Sequence, residues 1–395
     1  MRKKKSTPIK RIMKRLSRMD HILNAAVILL NIAGLIAISS ITDFSGDNNI
    51  LLKQVIGSVL GLVLLFGLSF ADTRVVTKLW KTLYAVTIIM LAAVLIAGTS
   101  GGGARRWITF NGLSFQPSEL AKILLILFYS EFIIKFEEKF SRPAVYALSA
   151  LLVLPPFFMI LREPDLSTGI MILLIFCVII FVAGLDSRVI AGLTAAAIPS
   201  VMIFLYLTLT GGITFLGDYQ RQRILAWLHP EDYASSTAYQ TINSMTAIGS
   251  GQLIGKGLHV EDSGTLLGTG FISESQTDFI FAVIGEQMGF LGCCVIVLLI
   301  LVLTIRLYLI ANKCAGLHDM IIVSGMAAWI GFQSYLNIGV ATGLLPNTGI
   351  PLPFVSYGLT SLVCLYTGLG LVQSICIENH SANNAIKLHY KRRNK

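Results

Sequence analysis

The chain is poor in charge. Only 13% of its 395 residues are Asp, Glu, Lys or Arg, against about 25% in soluble domains. With 54% hydrophobic residues and a mean hydropathy of +0.74, it holds more apolar surface than a soluble fold can hide. Cysteine is scarce too. Six occur, none in a CxxC pair; five lie within or at the ends of apolar blocks and Cys314 sits in a short polar link. They read as small hydrophobes, which excludes a disulfide framework. HExxH, GxSxG and a Cys/His metal cluster are all missing, so the usual zinc-hydrolase and serine-hydrolase signatures are absent. The glycine run ending at Lys256 is not a P-loop, because Ser250 stands at the required glycine and Gly257 at the required Ser/Thr.

What the chain does have is apolar blocks of about 20 residues, the length that crosses ~30 Å of hydrocarbon. They are apolar all round, unlike the amphipathic helices of a soluble bundle. Ten spans are expected, at 21–41, 50–70, 79–98, 118–135, 143–161, 167–185, 189–209, 278–305, 319–342 and 356–376. The expected fold class is an all-α polytopic membrane protein of about ten transmembrane helices with a long structured extracellular loop. A net charge of +10 could suggest nucleic acid, but its distribution argues against that. Nine Lys/Arg fall in residues 1–20 and five in the tail, 377–395. With an even span count both termini share one side, which carries 23 Lys/Arg against six on the other. The positive-inside bias then places both termini in the cytoplasm of a multi-pass plasma-membrane protein, with basic ends drawn to anionic membrane lipids. The domain reading is a basic N-terminal segment 1–20, a membrane domain 21–376 containing a large outer loop 210–277, and a basic tail. Residues 210–277 carry Phe215, Tyr219, Trp227, Leu228 and Ile248, a composition too apolar for disorder, and are expected to pack over the mouth of the bundle.

Ionisable residues inside or beside spans are costly and often mark a site. Glu119 and Lys122 are spaced i,i+3, on one helix face; they fit an internal ion pair as well as a functional role. Glu286 fits a helix-packing contact better than chemistry. Asp278 stands apart. It opens the eighth span with no basic residue within a helical turn, reachable from water, and a partly buried carboxylate is a better proton acceptor. On the outer side Arg105, Arg106, Arg221, Arg223 and Lys256 run against the positive-inside bias. They fit snorkelling to headgroups or a site for an anionic group such as a pyrophosphate.

A series of motifs resembles the RodA-like branch of the SEDS family (RodA, FtsW, SpoVE). These are Arg106-Trp107-Ile108, Phe115-Gln116-Pro117-Ser118-Glu119-Leu120-Ala121-Lys122, Pro164-Asp165-Leu166-Ser167-Thr168-Gly169, Tyr219-Gln220 with Gln222-Arg223, Gly255-Lys256-Gly257, Glu274 to Ala282, and Pro346 to Gly358. Order and spacing agree over roughly 20–376. The resemblance implies a peptidoglycan glycosyltransferase that polymerises lipid II at the outer membrane face during cell elongation, with a role in cell shape; the Ile350-Pro351-Leu352-Pro353 form looks more like RodA than like the cell division homologue FtsW. It implies that Asp278 is the essential aspartate, an inverting general base, and that Trp107, Glu119 and Lys122 are needed for activity. It suggests Arg106, Lys122, Arg221, Arg223 and Lys256 as partners of the leaving pyrophosphate, with room for a divalent cation, Mg or Mn, and no nucleotide cofactor. A class B penicillin-binding protein is the implied partner. The alternatives are a lipid II flippase and a non-enzymatic scaffold of the cell-wall complex. Four positions depart from the family pattern: Ser167, Gln276, Gln287 and Leu359.

Overall fold

A computed structural model describes residues 13–45, 48–101, 104–110, 113–139, 142–186, 218–258, 265–266 and 274–393, with isolated positions between 188 and 207. Helices coincide with nine of the ten expected spans among these residues: α1 (His21–Ser45), α2 (Asn48–Leu68), then, after the short α3 (Thr73–Thr77), α4 (Trp80–Ala97), α5 (Pro117–Glu137), α6 (Arg142–Arg162) and α7 (Leu166–Val182). After two loop helices, α8 (Asp218–Leu228) and α9 (Tyr239–Ser250), come α10 (Ile280–Ala311), α11 (Leu317–Ala341) and α12 (Leu359–Arg393). The seventh expected span, 189–209, lies largely outside the described residues, as do residues 1–12 of the basic N-terminal segment. Seven described helices are long and apolar enough to cross a bilayer. Helix α7 is shorter, and α5 carries five charged residues.

Helices α5, α11 and α12 form the buried centre. Trp329 on α11, Tyr366 on α12 and Phe128 on α5 are almost wholly enclosed. Around them α12 packs on α2, α10 on α1 and α11, and α4 on α5. The α4–α5 seam is aromatic: Trp80 meets Phe128, Phe132 and Phe136 at 5.8–5.9 Å between centroids, contacts worth about 0.5–1.5 kcal/mol each beyond area burial. At the end of the bundle near the N-terminus, Arg306 donates from Nε to both oxygens of Asp20, at 3.0 and 2.8 Å.

The structure adds an element that the composition did not suggest. The link between α4 and α5 folds as a three-stranded antiparallel sheet, β1 (Thr99–Gly101), β2 (Ala104–Phe110) and β3 (Leu113–Phe115). Thr99 pairs with Trp107 and Ile108 with Phe115. Pairing fixes which residues of the Arg105–Trp107 run face the bundle, which a free loop would not.

In the long loop, α9 packs on α10 and α11. Residues 251–257 then enter a break in α10. At Gly289 (φ 64°, ψ −163°) the helix is interrupted, and Phe290 N donates to Gln252 O and Leu291 N to Leu253 O. In return Lys256 N and Gly257 N donate to Glu286 O and Gln287 O. The loop thus satisfies backbone groups that the break would orphan. Only glycine fits at 289, since a Cβ there would lie 2.3 Å from Gly255 N. The expected eighth span is also trimmed: α10 begins at Ile280, so Asp278 lies in the turn preceding it.

Candidate active site

Asp278 is held by its backbone. Asn337 on α11 donates to the carbonyls of both Asp278 and Ile350, each at 2.8 Å. Ser356 Oγ donates to Thr277 O at 2.6 Å, and Tyr357 N to Gln276 O at 2.8 Å. The turn 274–279 is therefore laced to the charge-free segment 343–358, whose Gly and Pro residues shape an irregular path. At the Gln276 departure the backbone carbonyl makes the tie to Tyr357, and the side-chain Oε1 accepts from Ser275 Oγ at 3.3 Å.

Two arginines converge on the carboxylate from distant segments. Arg106 on β2 donates from Nη2 to Pro164 O at 2.8 Å, with its Nε 3.9 Å from Asp165 Oδ2. Asp165 is itself fixed as the cap of α7, accepting from Thr168 N and Thr168 Oγ1. Arg223 on α8 donates to Asn347 O at 3.1 Å. All three side chains meet at Gly349. A Cβ at that glycine would lie 3.4 Å from Asp278 Oδ2, 3.7 Å from Arg223 Nη1 and 3.9 Å from Arg106 Nη1. Its φ of +69° also requires glycine.

These groups open onto a cavity of about 350 Å³ whose lining includes Trp107, Gln116, Gln240, Glu274, Asp278 and Tyr357. Asp278 is half-buried. Burial first, then the charge of Glu274, pushes its carboxyl up to about 6, against the opposing pull of Arg223 and Arg106. It is mostly ionised at neutral pH yet more basic than an ordinary aspartate, which suits a proton acceptor.

The other expected site residues lie elsewhere. Lys122 and Glu119 are buried together in α5, Nζ to Oε1 at 2.5 Å. Lys122 also donates to Gln333 at 2.9 Å and sits 4.7 Å from the Trp329 ring centre. Gln333 then donates to Pro351 O at 2.9 Å, and Pro351 lines the cavity. The pair thus supports the cavity floor from behind. Lys256 is not with the arginines. It pairs with Glu286 at 2.8 Å, and Glu286 also accepts from Leu266 N. Arg221 is not among the cavity-lining residues, and its Nε is buried without a hydrogen bond among the described residues.

For Lys256 this position gives a direct expectation. Breaking a buried pair costs about 3–5 kcal/mol, and Lys256, 27% exposed, belongs at the low end of that range. Lys256→Ala should lower thermal stability, and adding Glu286→Gln should recover part of the loss. A Lys256→Ala variant that melts as wild type does would show that the pair carries no stability.

Sequence reasoning missed Glu163, Glu274 and Gln240. Glu163 is fully buried, with neither carboxyl oxygen hydrogen-bonded among the described residues; burial and then Asp165 push it up to about 8, against Arg106. The Arg162-Glu163-Pro164-Asp165 run was the available signal, an unusual charge cluster at a span edge. Two departures find local reasons. Ser167 Oγ donates to Thr348 O, tying α7 to the 343–358 segment. Gln287 donates to Ser40 Oγ, joining α10 to α1. Among the described residues no group of three or more His, Cys, Asp or Glu could hold a metal ion.

A helix bundle with a carboxylate and two guanidiniums converging in a polar cavity at one end defines a polytopic membrane enzyme. The chain belongs to the FtsW/RodA/SpoVE family, described as cell cycle proteins, whose model matches residues 16–381. It is 35% identical to peptidoglycan glycosyltransferase MrdB of Escherichia coli (strain K12) over 338 residues, 84% of this chain and 87% of the relative. It is 32% identical to stage V sporulation protein E of Bacillus subtilis (strain 168), over 90% of this chain and 96% of that one. Among solved structures, the rod shape determining protein RodA of Thermus thermophilus matches with a TM-score of 0.66 and 30% identity, covering 91% of this chain and 97% of that one. A chain from a peptidoglycan synthase complex that coordinates polymerisation and crosslinking matches with a TM-score of 0.75 and 31% identity, covering 91% and 98%.

Proposed function

We propose that this protein is a peptidoglycan glycosyltransferase that polymerises lipid II at the outer face of the plasma membrane and serves elongation, a role supported by the likeness of its Ile350-Pro351-Leu352-Pro353 segment to RodA. The observation that carries the reading is the convergence of Asp278, Arg106 and Arg223 around Gly349. Asp278 accepts the proton of the acceptor GlcNAc 4-hydroxyl. The oxygen attacks the anomeric carbon of the donor MurNAc, the bond from that carbon to the pyrophosphate oxygen breaks, and the configuration inverts. Undecaprenyl pyrophosphate departs with the bonding electrons. Arg106 and Arg223 neutralise the charge that develops on it, the kind of preorganised electrostatic stabilisation that lowers transition-state energy. A class B penicillin-binding protein is the proposed partner; the likeness to a synthase complex supports it.

The direct test is incubation of the purified full-length chain with purified lipid II, alone and with a class B penicillin-binding protein. Glycan strands are expected. Failure to polymerise in both conditions, with lipid II moved between leaflets of vesicles instead, would favour a flippase.

Orientation has its own test. The Lys/Arg asymmetry places α8 and α9 outside. Ser236 is exposed in the turn between them. With the native cysteines replaced, Ser236→Cys should react with an impermeant maleimide in intact cells; labelling only after lysis would reverse the topology.

A further inference from the structure

Beside the cavity lies a second, smaller pocket of about 50 Å³, walled by α8, α9 and the segment around residues 343–347. We propose that it is a subsite for the acetamido group of an N-acetylated amino sugar of the substrate. This rests on the glycosyltransferase reading above and specifies which part of the substrate is recognised.

Three observations carry it. The first is position. Arg223 lines both compartments. The partition consists of Arg223 donating to Asn347 O, and Asn347 Nδ2 donating to Gln240 Oε1 at 3.2 Å, with Gln240 facing the large cavity. The smaller pocket thus adjoins the Asp278 cavity through the Arg223 side chain.

The second is size. The pocket, about 50 Å³, has room for roughly one or two waters at ~30 Å³ each, the scale of a short substituent such as an acetamido group. A pyranose ring or a stem peptide is too large for it and belongs in the ~350 Å³ cavity.

The third is chemistry. Trp227, Ile242 and Met245 supply apolar wall for a methyl group, and Thr237, Thr241 and Asn347 supply polar atoms. The indole is locked by its Nε1 donating to Gly343 O at 3.2 Å. Thr237 Oγ1 or Thr241 Oγ1 can accept from an amide N–H. A threonine hydroxyl can donate to the amide carbonyl. Arg223 is the pocket's one charged lining residue among those described, and its guanidinium is already directed to Asn347 O, so the site favours a neutral amide over a free ammonium group.

The test compares native lipid II with two analogues, de-N-acetylated at GlcNAc alone or at MurNAc alone. The full-length wild type is expected to lose roughly 10- to 100-fold in kcat/KM on one analogue, the range that small pocket-filling groups command. That arm identifies the sugar. Thr241→Leu, which fills the pocket, should raise KM for native lipid II and bring the two substrates to near equality. Thr241→Val, which keeps the shape and removes the hydroxyl, should lose part of the discrimination and guards against a misfolded Leu variant. Wild type that uses native lipid II and both analogues alike overturns the subsite while leaving the polymerase reading intact. So does a folded Thr241→Leu variant that discriminates as wild type does. Absence of any lipid II polymerisation by wild type overturns the polymerase reading itself, and the subsite with it.

Discussion

Asp278→Asn should abolish glycan polymerisation while leaving the fold intact. The amide keeps the shape of the side chain, and the hydrogen bonds that fix this residue run through its backbone carbonyl. What is lost is the proton acceptor, typically ~10²–10⁴-fold in rate. Product formation from purified lipid II measures it; near wild-type turnover would remove Asp278 from the mechanism. The same carboxylate sets a pH dependence. The working form is ionised and its pKa is raised to about 6, so the rate should fall about tenfold per pH unit below that value and level off above it. Glu274 raises the Asp278 pKa and the two arginines lower it. Glu274→Gln should therefore move the acid limb to lower pH, and an alanine at either arginine should move it to higher pH. A limb unmoved by Glu274→Gln would show that the two carboxylates do not communicate.

Arg223→Ala carries the second large effect. Arg223 lies beside Asp278 at the Gly349 convergence, and charge-assisted contacts to a phosphate are worth ~1.5–3 kcal/mol. Removal should slow polymerisation roughly 10- to 100-fold, at ~1.4 kcal/mol per decade. Arg106→Ala should behave alike. Arg223→Lys should rescue only in part, because the ammonium loses the planar fork that holds Asn347 O while facing the cavity. Saturating lipid II must not restore the rate if the contact forms on the leaving group in the transition state. Alanine variants with unchanged turnover would instead leave the guanidiniums a purely structural task. Lys256, which composition placed with these cations, is expected to act on stability through Glu286.

The sequence by itself determined the membrane class and the positions of nine helices, because hydrophobic length is a local property that the bilayer reads directly. It also determined the Glu119–Lys122 pair, since i,i+3 spacing alone brings those side chains together. Charge placement and motif likeness singled out Asp278 and offered five cations, Arg106, Lys122, Arg221, Arg223 and Lys256, but no local rule could say that Arg106 and Arg223 are the ones that meet it. The three lie on the turn before α10, on β2 and on α8, separated by more than a hundred residues from Arg106 to Arg223. Their meeting depends on Gly349 leaving room, on Asn337 clamping two carbonyls, and on strand pairing in a link that looked like a loop. Lys256 shows the same limit in reverse. Its charge and side of the membrane matched the arginines, yet the break at Gly289 draws its loop into α10 and delivers it to Glu286. Sequence patterns report which residues are costly to place; only tertiary register decides which partner meets that cost, because ion pairs and hydrogen bonds act over a few ångströms while the chain between their members spans tens.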